Sequence, residues 1–497
     1  MAKLKNPKKK PKSSKKALIK RKVKPKKKRV IVGAKKIKLA KVIKAKISKK
    51  KISKLKVINK KTEAIEVSRS RYTPKLLRGM KDILPEDQIV REYLIKKLVK
   101  LSKAYGFQEI ITPILEERAL FEKSTGIATD IVEKQMYQFT DRSGKKVVLR
   151  PEFTPSVARA YIEHGMFNLP QPLKFFYYGP VFRYERPQAG RFRQFYQFGL
   201  EVLGSESPLI DAEIILFSQT LFQDLGLQIN IQINSLGCLN CRTTYREELK
   251  KYLRSRSRTL CPDCQKRLSK NPLRVLDCKV PQCQEITRQA PQLINFLCPN
   301  CKNHFTKVLE CLDEANVVYT LNPYLVRGLD YYTRTVFELW PAVSEGEEDS
   351  NSSQTALGGG GRYDPLIESL GGRETPGTGV SYGLERIINE IKIQRVRVSL
   401  SQGPQVFFAQ IGESAARQAL RIFNDLQKQG IKIAENLAKT SLKSQMKIAD
   451  EMGVKLTLIL GQQETKDKTI IIRDMKTGNQ EKVDVTKLVK ELKKRLK

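Results

Sequence analysis

The chain has 497 residues, enough for two to four domains and a sizeable core. Its 94 Lys and Arg against 51 Asp and Glu give a formal charge of +43, which points to a polyanionic partner. No run of 18 apolar residues and no hydrophobic signal segment is present, so neither a membrane span nor export is expected, and the cytoplasm is the expected compartment.

The charge is uneven. Residues 1–61 hold 29 Lys and Arg and no acid, leaving 65 basic and 51 acidic residues, or +14, for the remainder. With no aromatic residue before Tyr72, residues 1–71 cannot bury enough apolar area to offset chain entropy and are expected to be disordered when free. Leu39, Ile43, Ile47, Ile52 and Leu55 have a weak helical spacing that admits ordering against RNA or another anionic surface; a solvated polycation fits equally.

Pro85-Glu86-Asp87 opens an amphipathic pattern that predicts a helix to Tyr105, ended by Gly106 and followed by a strand over Phe107–Pro113. Gln138-Phe139 and Val147–Leu149 flank the turn Asp141–Gly144, a hairpin that delivers Arg150-Pro151-Glu152-Phe153-Thr154. Read as extended, this segment puts Glu152 and Thr154 on one face, where a carboxylate and a hydroxyl suit an α-ammonium group or simply a polar surface. Between Phe182 and Gly204 alternating aromatic residues predict two antiparallel strands around Arg186–Gly190. Arg183, Arg186, Arg191 and Arg193 fall within eleven residues there. Their flanks are too apolar for a solvated charge run, so some of these guanidiniums should face an anionic ligand, phosphate above all; the alternative is an edge hairpin with surface arginines.

A helix over Ser207–Leu225 and a strand over Ile229–Ile233 come next, and then all nine cysteines between Cys238 and Cys311. Cys238/Cys241, Cys261/Cys264 and Cys298/Cys301 are C-x2-C pairs, and Cys278 and Cys283 are five apart. Disulfides do not suit a reducing compartment; the spacing admits a structural zinc on Cys261, Cys264, Cys298 and Cys301, or a set of free thiols. Val326–Glu338 is strand-like, and Ser344–Thr355 is an acidic surface connection. Gly358–Gly361 suits either close backbone approach to a ligand or a linker. Gly377–Arg386 runs from strand to helix, placing Arg386 near a strand end. After Gly403, strands Val406–Ala409, Leu456–Leu460 and Thr469–Arg473 alternate with helices Ala415–Gln429, Ser441–Met452 and Thr486–Leu496, an α/β domain with a mixed or parallel sheet.

Phe182-Arg183-x-Glu185 with Arg191-x3-Phe195-x-Gln197-x3-Glu201, followed by Gly377–Arg386, resembles motifs 2 and 3 of class II aminoacyl-tRNA synthetases. Leu325-Val326-Arg327-Gly328-Leu329-Asp330-Tyr331-Tyr332 resembles the segment that distinguishes histidyl-tRNA synthetases within that class. The resemblance covers residues 72–497. It implies an α+β fold, with a class II synthetase antiparallel sheet flanked by helices and a C-terminal α/β anticodon-binding domain. The domain plan is then a basic extension (1–71), a catalytic domain (72–402) with a cysteine-rich insertion (approximately 238–316), and an anticodon-binding domain (403–497). The helix and strand after Pro85 resemble motif 1, which forms the homodimer interface in the family.

The resemblance also implies the reaction and its residues. L-Histidine and ATP, with Mg2+, give histidyl-adenylate, and the histidyl group passes to tRNA(His). Arg183 and Arg327 would contact the α-phosphate and Arg386 the distal phosphates, making these three the catalytic cations. Phe195 would stack on adenine and Glu185 place the nucleotide. Glu152, Thr154 and Gln197 would hold the amino-acid backbone end, with Glu201, Tyr332 and neighbouring Tyr331 at the imidazole, and Arg327 would belong to the histidine site as well. Gln188 would reach the tRNA acceptor end. Two positions depart from the family pattern: Phe153 replaces a common Gly, and Tyr196 a common His. A rival with the same core fold, the regulatory subunit of ATP phosphoribosyltransferase, generally lacks the anticodon-binding domain and an intact Arg327–Tyr332 segment.

Overall fold

A computed structural model describes residues 73–126, 129–185, 191–342, 355–398 and 403–496. The readings for residues 1–71, for the turn Arg186–Gly190 with Gln188, and for most of Ser344–Thr355 lie outside these residues. The strands in chain order are β1 (Gln108–Glu109), β2 (Leu115–Glu117), β3 (Tyr137–Thr140), β4 (Lys146–Leu149), β5 (Leu173–Phe182), β6 (Gln194–Leu203), β7 (Ile229–Ser235), β8 (Thr320–Leu321), β9 (Thr333–Pro341), β10 (Gly358–Arg362) and β11 (Gly377–Gly383). Eight of them form one sheet in the order β1-β5-β6-β11-β10-β9-β7-β8, antiparallel except for the β1/β5 and β7/β8 pairs at its edges. β2, β4 and β3 form a separate three-stranded sheet.

The period of two along a strand gives the large sheet two unlike faces. Phe176 on β5, Phe198 and Leu200 on β6, Val380 and Tyr382 on β11, and Phe337 and Leu339 on β9 all enter one apolar core. Leu94 and Leu98 of the Pro85–Ala104 helix cover that face, with Phe217 and Leu221 of Pro208–Asp224 and Ile387 and Ile391 of Leu384–Ile393. Register puts Glu201 opposite Gly379 and Gly379 opposite Gly361. One step along, Gly199, Ser381, Gly359 and Glu338 align across four strands. The second face is therefore floored largely by glycine, which leaves a depression between the side chains at its rim.

Arg362 at the end of β10 is fully buried and clamps this sheet to the helices beneath. Its Nη2 donates to Asp211 Oδ1 at 2.7 Å and its Nη1 to Ser205 O at 2.8 Å, while Asp211 Oδ2 lies 2.8 Å from His304 Nε2. A charge so deeply buried is tolerable only when every donor finds an acceptor, as here.

Several elements differ from expectation. The first strand of the central hairpin is β5, upstream of the Phe182–Tyr184 alternation, because the chain leaves the ladder after Phe182. The strand expected over Phe107–Pro113 is reduced to β1. Val326–Tyr332 is not strand but a looped approach to β9. Nor is Glu152–Thr154 extended: Phe153 has φ −102° and ψ −36°, and Thr154 begins the helix Thr154–Glu163.

The C-terminal strands are β12 (Val406–Gln410), β13 (Ile433–Glu435), β14 (Leu456–Leu460), β15 (Thr469–Asp474) and β16 (Gln480–Asp484), in the order β13-β12-β14-β15-β16. β13, β12 and β14 are parallel and the other two antiparallel, so the sheet is mixed. No helix among the described residues is long and apolar enough to cross a membrane.

Candidate active site

Glu201 projects from β6 onto the glycine-floored face, and a Cβ on Gly379 would overlap its carboxylate, so glycine is required opposite it. The carboxylate is almost wholly buried and accepts three hydroxyls: Thr154 Oγ1 at 2.7 Å, Tyr177 OH at 2.9 Å, and Tyr363 OH. Burial pushes its pKa up to about 7 despite those bonds, and the nearby Glu152 adds to the shift. Glu152 is also buried. It accepts from Tyr331 OH at 2.8 Å and Thr125 Oγ1 at 3.2 Å, and burial raises its pKa against the attraction of Arg183. Two carboxylates raised by burial, in a pocket walled by hydroxyls, can receive a ligand carrying protonated nitrogens.

The guanidiniums gather beside this pocket. Arg327 Nη1 donates to Glu338 Oε1 at 2.5 Å, and its guanidinium lies 5.3 Å from the Tyr332 ring centroid. A Cβ on Gly359 would stand only 2.7 Å from Arg327 Nη1, so this strand too must be glycine for Arg327 to lie against the sheet. Burial opposes its charge, but Tyr332 and Glu338 outweigh burial and raise its pKa. Its Nε is buried with no hydrogen-bond partner among the described residues, a donor that an anionic oxygen would satisfy.

Arg183 donates from Nε to Pro151 O at 2.9 Å, which aims its fork across Phe195, 5.5 Å from the ring centroid. Arg386 donates to Ala356 O at 2.7 Å; burial, then repulsion from Arg183 and Arg191, lowers its pKa. Cations that close together are ready for a polyanion. The other arginines of the hairpin are partly committed within the protein. Arg193 binds Glu185 O and stacks 3.8 Å over Tyr184, and Arg191 Nη1 lies 3.5 Å from Glu185 Oε2.

The structure thus brings Glu152, Thr154, Glu201, Tyr331 and Tyr332 together, with Arg183, Arg327 and Arg386 beside them. Gln197 sits on the same face of β6, opposite Gly179 and Gly383. Phe153, the first departure from the family pattern, is buried against the wall of the pocket, in one core with Tyr177, Tyr331 and Tyr332. It lies between Arg150, 3.7 Å over its ring, and Tyr177, stacked at 4.3 Å. Tyr196, the second, faces the helices, with Arg91 at 3.7 Å over its ring.

Sequence reasoning missed Tyr177, Tyr363, Thr125 and Glu338, each the partner of a residue it did identify. It also mispaired the cysteines. Cys261 and Cys264 gather with Cys278 and Cys283, whereas Cys298 and Cys301 gather with Cys238 and Cys241, so the set Cys261, Cys264, Cys298 and Cys301 does not form. The reason is tertiary: Cys298 precedes and Cys301 lies in the first turn of a helix (Pro299–Glu314) that meets the Cys238 end of the helix Leu239–Arg254, and Cys298 N donates to Cys241 Sγ at 3.1 Å. Both clusters could hold a metal ion.

The Histidyl-tRNA synthetase family model matches residues 79–387, the whole of the site described above. The chain belongs to the histidyl-tRNA synthetase family. A second family model, the anticodon binding domain, matches residues 405–495. Among curated relatives, the histidine–tRNA ligase of Desulforamulus reducens is 44% identical over 413 residues, covering 83% of this chain and 97% of that protein. The histidine–tRNA ligase of Thermodesulfovibrio yellowstonii is 45% identical over 415 residues, with 83% and 97% covered. Apo histidyl-tRNA synthetase from S. aureus superposes with a TM-score of 0.71 at 35% identity, covering 84% of this chain and 99% of that one. Both family matches begin beyond the basic residues 1–71.

Proposed function

We infer that this chain is a histidine–tRNA ligase, activating L-histidine with ATP and transferring the histidyl group to tRNA(His). The observation that supports the amino-acid choice is the Glu201 cluster, in which a buried carboxylate and hydroxyls stand where an imidazole can pair with them. A site that hydrogen-bonds its substrate rejects analogues by leaving such groups unpaired. Glu201 and Tyr332 take the imidazole, with Tyr331 beside them holding Glu152. Glu152, Thr154 and Gln197 take the α-ammonium and carboxylate end. Arg183 and Arg327 then lie along the path from the histidine carboxylate to the α-phosphate. Attack of that carboxylate on the α-phosphorus forms the acyl phosphate bond and expels pyrophosphate, and fixed guanidiniums stabilise the charge that accumulates without having to reorganise. Phe195 and Glu185 position the nucleotide, and Arg386 holds its distal phosphates.

ATP enters as its Mg2+ complex, for which phosphate oxygens supply most ligands. Glu185 and Glu338, the carboxylates that attract Arg386, are the protein oxygens nearest in chemistry to that role. The cysteine-rich insertion offers thiol ligands suited to structural Zn2+. ATP–pyrophosphate exchange measured with each of the twenty amino acids tests the assignment: exchange is expected with histidine alone, and exchange driven by another amino acid overturns it.

A homodimer fits the segment after the Pro85–Ala104 helix, where Ile111, Ile114 and Leu115 are exposed in a row, an apolar strip that a partner would cover. Sedimentation equilibrium is expected to return twice the chain mass. The cytoplasm is where charging for protein synthesis would place the enzyme. The basic segment adds sequence-independent affinity for tRNA phosphates. Deleting residues 1–61 is expected to leave exchange unchanged, raise the KM for tRNA at low salt and flatten its salt dependence. Unchanged affinity and salt slope would make the segment with those 29 charges a solvated appendage or one that serves another polyanion.

A further inference from the structure

Eight of the nine cysteines form two separate four-thiol clusters, and within each the sulfurs all lie within 4.8 Å of one another. Cys238 and Cys241 sulfurs are 3.6 Å apart and those of Cys261 and Cys278 3.9 Å. A disulfide would need about 2 Å. Four thiolates set tetrahedrally around zinc at about 2.3 Å lie about 3.8 Å apart. An iron–sulfur cluster would spread its thiolates around several metal atoms, so the spacing points to one ion per cluster. Sulfur ligands also favour zinc over harder divalent ions.

Helix ends supply the electrostatics. Cys238 caps the helix Leu239–Arg254 and Cys298 caps Pro299–Glu314, with Cys241 and Cys301 in their first turns. In the other cluster Cys261 caps Pro262–Lys270, and Cys283 lies in the first turn of Pro281–Arg288. Each cluster thus receives two helix N-termini, whose amides and dipoles stabilise the surplus negative charge of a tetrathiolate site. Amide bonds to sulfur are already in place, from Cys298 N to Cys241 Sγ at 3.1 Å and from Cys261 N to Cys283 Sγ at 3.3 Å.

Both clusters are wired to the amino-acid pocket. Arg242, the residue after Cys241, donates to Tyr332 O at 2.7 Å and also reaches Asp330 O. Asn271, which ends the helix begun at Cys261, donates to Asp330 Oδ1 at 2.9 Å. Cys264, Cys278 and Cys283 share one apolar core with Phe153, Tyr331 and Tyr332.

We propose that the insertion holds two structural zinc ions, one on Cys238, Cys241, Cys298 and Cys301 and the other on Cys261, Cys264, Cys278 and Cys283, and that together they brace the Asp330–Tyr332 segment. The bracing role rests on the histidine-site reading above; the two ions do not. Elemental analysis of the full chain purified without chelator is expected to find two zinc ions per chain. Cys264→Ser and Cys301→Ser are each expected to retain one. Should either variant fail to fold, stepwise chelation of the unaltered chain, followed with a chromogenic zinc indicator, still counts the ions. Zinc-free protein that melts at the same temperature with and without added zinc overturns the proposal, as does a single ion per chain or iron in place of zinc. For the bracing role, Cys241→Ser is expected to raise the KM for histidine severalfold while leaving that for ATP unchanged. Loss of one ion with both KM values unchanged would overturn the bracing role alone.

Discussion

Replacing Arg327 with Ala is expected to slow ATP–pyrophosphate exchange by about 100- to 1,000-fold, the cost of removing one fixed donor from a charge-accumulating transition state. Histidine affinity, measured by equilibrium dialysis without ATP, should change far less, because the imidazole is held by other residues. The Arg327 guanidinium is held from three directions. Glu338 fixes one end, the Tyr332 ring faces it, and Gly359 lets it lie against the sheet, so its direction is set before any substrate arrives. Its buried Nε lacks a partner among the described residues. A group so placed contributes more to the transition state than to ground-state binding, and kcat should fall with little change in histidine KM. Arg327→Lys should recover only part of the rate, since an ammonium keeps the charge but loses the planar fork. Near-normal exchange in a folded Arg327→Ala enzyme would remove Arg327 from the chemistry.

How far this site could be read from the chain follows from which contacts are local. Gln197, Gly199 and Glu201 alternate along one strand, so period two alone puts them on one face, and the sequence pattern shows it. Tyr177 and Tyr363 complete the same cluster, but they arrive from β5 and from just beyond β10, and only the register of four strands, β5, β6, β11 and β10, brings their hydroxyls to Glu201. No local signal marks them. Glu152 and Thr154 do not share a face of an extended segment as expected: the chain turns into a helix at Phe153, and tertiary partners, Tyr331 and Thr125 for one and Glu201 for the other, direct the two side chains.

The glycine run over Gly358–Gly361 shows the same limit. Its composition leaves a linker and a ligand floor equally open, and only its place in the middle of the sheet decides between them. The cysteines repeat the lesson. Each C-x2-C pair is legible because its residues share a helix start, whereas the choice of which pairs meet depends on helix packing. The C-terminal domain was more transparent. Runs of apolar residues mark β12, β14 and β15 and its helices are amphipathic, so these were legible; the short β13 and the polar edge strand β16, with four exposed residues of five, were not.

Glu201→Gln is expected to separate function from stability. The amide can keep Thr154 and Tyr177 as donors to its oxygen and offer its nitrogen to Tyr363, so the variant should fold. It loses the negative charge and one acceptor, and a polar site stripped of a matched group loses its substrate steeply, on the order of 100-fold or more in histidine kcat/KM, with ATP KM little changed. Stability should move the other way. Because the folded carboxyl is raised to about 7 by burial, the folded state holds its proton more tightly than the unfolded chain, whose glutamate releases it near 4.5. That contribution is fully present below pH 4.5 and is lost as pH rises towards 7, amounting to up to about 3 kcal/mol at about 1.4 kcal/mol per pH unit. Glutamine has no such loss. The melting temperature of Glu201→Gln relative to the unaltered chain should therefore climb between pH 4.5 and 7 and then level off. A melting difference that stays flat across that window would show that Glu201 is not held as a buried, costly carboxylate. Equal losses for histidine and ATP would remove it from the imidazole pocket.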